Sequence, residues 1–115
     1  MSNQELQSKT ESICRDVDGA ILSFFSGFDG LIIFKNTPAE AELYADNIAA
    51  NLVETIRGFK SANMNLEDMI ATCEGYILCL KVMEDGFFVV ALTKEGNVGR
   101  AKMELNKLGN RFIDA

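Results

Sequence analysis

The sequence predicts a three-layer α+β domain built on a mainly antiparallel sheet. Three observations predict it. Acidic-glycine dipeptides open each of four apolar blocks: Asp18-Gly19, Asp29-Gly30, Glu74-Gly75 and Asp85-Gly86. Two separate stretches repeat apolar residues at helical spacing, around residues 38–59 and 97–112. The inner apolar blocks do not alternate cleanly with polar residues, so those strands are covered on both faces. Glycine takes positive φ without a Cβ clash, and an Asp-Gly pair between β-rich runs marks a tight turn. Tight turns join antiparallel neighbours, and strands apolar on both sides need helices above and below.

Residues 3–16 read as a first helix, with Leu6, Ile13, Cys14 and Val17 as a thin apolar stripe. Residues 19–25 and 31–35 read as a hairpin closed by Ser26-Gly27-Phe28-Asp29-Gly30. Thr37-Pro38-Ala39-Glu40 then reads as a capping box with proline in the first helical position. The helix it opens runs to about Gly58-Phe59. Ala41, Tyr44, Ala45, Ile48, Leu52, Ile56 and Phe59 share one face. Ala49 and Val53 flank that face, and Leu43 and Ala50 lie almost opposite it. This apolar surface is wider than one packing partner needs.

After the polar linker Ser61–Asn65, three strands are expected near 67–73, 76–83 and 87–92. The first of these is the least hydrophobic and reads as a sheet edge. Asn97 caps a last helix whose seam is Val98, Ala101, Leu105, Leu108 and Phe112, with Lys107 and Arg111 near its C-terminal end. The order is α-β-β-α-β-β-β-α, in one domain spanning residues 1–115.

Composition narrows the function. The chain carries 11 cationic and 17 acidic side chains, for a net charge of -6. That balance repels phosphate backbones and anionic lipid, so neither nucleic acid nor membrane insertion is expected. The polar N-terminus lacks the apolar stretch of a signal peptide, and no apolar run approaches the ~18 residues that span a bilayer. Cys14, Cys73 and Cys79 are odd in number and irregularly spaced, as free thiols of a cytoplasmic protein would be. With no histidine, Ser-His-Asp and Cys-His nucleophilic sites are excluded. No Cys-x-x-Cys marks a metal site.

The remaining candidates for chemistry read as scaffolding. Asp16, Asp18, Glu84 and Asp85 are turn or cap residues by position. Gly96-Asn97-Val98-Gly99 opens a helix but lacks the spacing and the lysine of a phosphate loop. No catalytic residue, cofactor site or metal ligand set is therefore assigned. Arg57, Arg100 and Arg111 are candidates to touch a phosphate on a partner, with Arg57 kept as the partner-binding residue.

The order of elements resembles the roadblock/LC7 family over nearly the whole length. The glycine-led hairpin from Asp18-Gly19-Ala-Ile-Leu to Gly27-Phe28-Asp29-Gly30-Leu-Ile-Ile is similar to that family's opening. Asn97-Val98-Gly99-Arg100-Ala101-Lys102 is similar to its Asn-x-Gly-x-x-Arg start of the last helix, with Lys102 where Arg is commonest. The resemblance implies a five-stranded sheet with the long middle helix on one face and both terminal helices on the other. It implies a homodimer in which the middle helices lie side by side and the following edge strands pair. Transferred here, the interface takes in Leu43, Ala49, Ala50 and Val53 with the strand Met69-Ile70-Ala71-Thr72-Cys73. Family members mostly bind and regulate Ras-like small GTPases, in some cases stimulating GTP hydrolysis; others are structural adaptors of the dynein light-chain type. A ligand sensor of related shape, the third alternative, needs an internal pocket among strands that look filled.

Overall fold

The computed structural model describes residues 3–108. Helix α1 (Asn3–Asp16) leads into strands β1 (Ala20–Ser26) and β2 (Ile32–Asn36). A short 3-10 turn (Ala39–Ala41) precedes the long helix α2 (Glu42–Ser61). Strands β3 (Asp68–Thr72), β4 (Ile77–Val82) and β5 (Phe87–Leu92) follow, and then helix α3 (Val98–Asn106). The strands form one antiparallel sheet in the order β2-β1-β5-β4-β3. The long middle connection carries the chain from one edge of the sheet to the other, so β2 and β3 are both edges.

Strand periodicity sorts the core into two halves. Phe25, Cys79, Phe88 and Val90 point to one face, where Leu6, Ile13, Ala101 and Leu105 of α1 and α3 cover them. Phe24, Leu80, Phe87 and Val89 point to the other, beneath Ala45, Ile48, Leu52 and Val53 of α2. Each fully buried Phe contributes roughly 1.5–3 kcal/mol relative to exposure, so adjacent phenylalanines on opposite faces tie all three layers together. The expected three-layer α+β architecture, with α2 alone on one face, is the one observed.

The glycine marks act by two different means. Gly19 and Gly30 both adopt φ of +85°, as an Asp-Gly turn requires. Gly86 is instead needed for space: a Cβ there would collide with the backbone of Ser26, where β1 and β5 meet.

Two local expectations are corrected. Thr37 does not cap α2: its Oγ1 is buried and makes no hydrogen bond among the described residues. Pro38 is extended, with ψ of 148°, and its carbonyl accepts from the Ala41 N–H to close the 3-10 turn. The α-helix therefore begins one turn later, at Glu42. The expected cap on the last helix is present, with Asn97 Oδ1 accepting from the Arg100 N–H at 3.0 Å. Arg111 and Phe112 lie outside the described residues.

Glu104 is the polar centre of the α1–α3 layer and was not singled out from the sequence. It is 3% exposed. Lys9 reaches Oε1 at 2.8 Å, and Arg100 and Lys107 reach Oε2 at 3.1 and 3.0 Å. Hydrogen bonds from Lys9 and then Lys107 pull its carboxyl down to about 2, against the opposing effect of burial. The folded-state value lies below the unfolded one. The stabilisation is thus fully present above about pH 4.5 and is lost as pH falls toward about 2. We expect Glu104→Gln to cost about 2 kcal/mol at neutral pH, a figure held down because Arg100 and Lys107 remain half-exposed. The variant's stability should fall less steeply than the parent's through that acid window, as urea titrations at successive pH values would reveal.

A candidate partner-binding surface

Strand β3 makes five consecutive register pairs with β4, from Asp68↔Lys81 to Thr72↔Ile77, without a bulge. Among the described residues, no strand lies beside its other side. Met69 and Ala71 turn toward α2 and are half-buried, while Ile70 faces the α3 layer and is 44% exposed. Thr72 ends the strand. Cys73, expected within it, belongs to the turn: its N–H donates to the Tyr76 carbonyl at 2.8 Å and its own carbonyl accepts from Lys94 Nζ at 2.9 Å.

Helix α2 shows a different outer face from the one expected. Ala49 and Val53 are 0% and 5% exposed, packed in their own chain's core. Their assignment to a lateral contact is corrected: the inward stripe is centred on Ala45, Ala49, Leu52 and Val53, rotated from the sequence reading because small alanines mark a face poorly. Ala50 lies at the flank nearest Gly30, on the side of the hairpin loop and away from β3. Leu43 is 73% exposed, as expected for an outward residue.

On the flank toward β3, Tyr44 packs edge-on against Tyr76, with ring centroids 5.4 Å apart. A hydrogen bond with Tyr44 and, after it, partial burial push the Tyr76 phenol up to about 12, so that phenol stays neutral over the physiological range. Tyr44 had been placed on the core face; its exposed ring instead forms a lip between α2 and the β3–β4 turn. Asn51 and Thr55 continue the same flank toward the C-terminal end of α2.

At that end a cleft of about 400 Å³ opens between α2, the α2–β3 linker and the β4–β5 turn. Phe28, Val53, Ile56, Leu66 and Val82 give it apolar walls, and Arg57, Lys60 and Glu84 give it charge. Arg57 Nη1 donates to Glu54 at 2.9 Å, one turn back on the helix, with both side chains largely exposed. Sequence spacing marked Arg57 but not the cleft, whose walls come from four separate segments. Among the described residues, no group of three or more Cys, Asp or Glu side chains is placed to hold a metal ion. No helix among them is long and apolar enough to cross a membrane.

This arrangement of helices and strands is also that of solved structures. A roadblock/LC7 domain from Streptomyces avermitilis matches with a TM-score of 0.77 at 14% identity, over 90% of each chain. The chain has the roadblock/LC7 fold. MglB from Myxococcus xanthus matches with a TM-score of 0.75 at 12% identity, over 93% of this chain and 90% of that one. MglC from the same organism matches with a TM-score of 0.69 at 21% identity, over 89% and 91%. No protein-family model and no curated protein matches the sequence. What the roadblock fold preserves at such low identity is the layer pattern, two apolar sheet faces and one crossing helix, rather than particular side chains.

Proposed function

We propose that this chain is a non-catalytic regulator or scaffold that pairs with a second copy and binds a Ras-like small GTPase. The observation that carries the reading is the contrast between the two sheet edges. Strand β2 has a register shift at its ladder with β1 and an exposed Lys35, both devices that blunt an edge. Strand β3 is regular and carries no lysine, arginine or proline. An isologous pair of β3 strands joins two sheets into one and sets the α2 helices side by side. Tyr44, Asn51 and Thr55, with Leu43 above them, then replace Ala49 and Val53 as the helix residues of the contact.

The paired helices and the cleft beside Arg57 form the platform for the GTPase. The roadblock fold supports this reading together with the family resemblance, in which GTPase regulation is the commonest role. Such a regulator acts by holding the GTPase's own groups or by offering an arginine in trans. We assign that role to Arg57, which lines the cleft. Replacing it with glutamate is expected to weaken capture of the GTPase by at least about tenfold, the usual effect of reversing a well-placed interface charge. Co-purification of the two proteins measures this, and undiminished capture would remove Arg57 from the platform.

A further inference from the structure

The outer layer on the opposite side of the sheet has its own electrostatic character. Helix α3 exposes Arg100, Lys102 and, just past its end, Lys107, with Lys9 of α1 alongside. Its one acid, Glu104, is buried beneath them. These four cations and one acid leave seven cations against sixteen acids in the rest of the chain, a net charge of -9 there against +3 here. The rest of the chain is acidic in balance, so this strip is a local cationic surface that favours an anionic partner.

Glu104 also arranges the strip for binding. It fixes the heads of Lys9, Arg100 and Lys107 around one point while occupying only a few of their donors. Arg100 uses Nε on it, leaving the terminal guanidinium nitrogens without a hydrogen bond among the described residues. Lys102 makes no ion pair among them. Met103, 48% exposed, stands among the cations.

The shape of the charge selects the partner. The strip is one nine-residue helix, about 13 Å long. Neighbouring α1 exposes Glu5, Glu11 and Asp16, which a flat anionic bilayer would have to approach. A narrow ligand avoids them. We propose that the outer face of α3 docks an acidic polypeptide segment, its carboxylates on Arg100, Lys102 and Lys107 and an apolar side chain on Met103. This surface lies on the opposite face of the sheet from α2 and leaves the GTPase platform free.

The test uses the whole chain and a fluorescein-labelled peptide of repeated Glu-Glu-Leu-Glu, followed by anisotropy at low salt. The peptide is expected to bind, and Lys102→Glu, which touches no ion pair, should weaken it at least about tenfold. Lys35→Glu changes net charge equally at the β2 edge and should leave affinity within about twofold. Met103→Ser keeps the charge and should cost severalfold. Amide shifts on binding should cluster in residues 99–107. No binding by the parent chain, equal weakening by Lys102→Glu and Lys35→Glu, or phosphatidylserine vesicles binding as strongly as the peptide would each overturn the proposal.

Discussion

Replacing Gly86 with alanine is expected to cost about 3 kcal/mol or more, at the upper end of overpacking effects. A Cβ at this position collides with the Ser26 carbonyl oxygen and comes within 2.8 Å of Phe25 Cζ. Neither neighbour yields easily. Ser26 is paired on both sides, to β2 and to β5, and Phe25 is fully buried in the α1–α3 half of the core. The N–H of Met83 also bonds to the Gly86 carbonyl at 2.7 Å, so the turn itself is tied down. Gly75→Ala is the matched control. It alters an equivalent acidic-glycine turn, but nothing lies within 4 Å of its Cβ. Its effect should stay within about 0.5 kcal/mol. Urea unfolding of both variants distinguishes a glycine required by close approach from one that merely occupies a turn.

The second large effect is on association. Ile70 is the middle residue of β3, so an antiparallel two-fold pairing of this strand with its copy brings the two Ile70 side chains close together. Ile70→Lys replaces that apolar contact with two facing ammonium groups. Losing the apolar burial and adding like-charge repulsion sum to about 3 kcal/mol, roughly a hundredfold in the dissociation constant. Light scattering should give the parent chain twice its 12.7 kDa mass and the variant a single mass at micromolar concentration. Ile33→Lys makes the same change at an exposed residue of the other edge and should leave the mass doubled. A parent chain of single mass, or equal loss in both variants, would refute pairing through β3.

Much of the fold was legible because its boundaries are chemical. The acidic-glycine pairs placed the strands to within a residue or two, and Asn97 placed the start of α3. The three-layer arrangement followed from strands that bury Phe24 and Phe25, or Phe87 and Phe88, on opposite faces. The site was less legible. Alanines at 45, 49 and 50 carry too little hydrophobic contrast to fix the rotation of α2, so Ala49 and Val53, both in the core, were read as flanking the buried face. Thr37 had the side chain of a cap but not the backbone, because proline extended the chain there. Glu104 interrupts the apolar seam of α3 between Arg100 and Lys107, at i-4 and i+3. That spacing was a visible sign of a buried ion cluster. Lys9, which completes the cluster from ninety-five residues away, had no such local signal. The cleft beside Arg57 is likewise a product of tertiary packing.

The central claim is regulation of a Ras-like GTPase, and calorimetric titration tests it most directly. The chain would be titrated into a purified Ras-like small GTPase, loaded first with GDP and then with a non-hydrolysable GTP analogue. The account predicts binding with a clear preference for one nucleotide state. Equal binding to both would favour a structural adaptor, and absence of binding in either state would contradict the account.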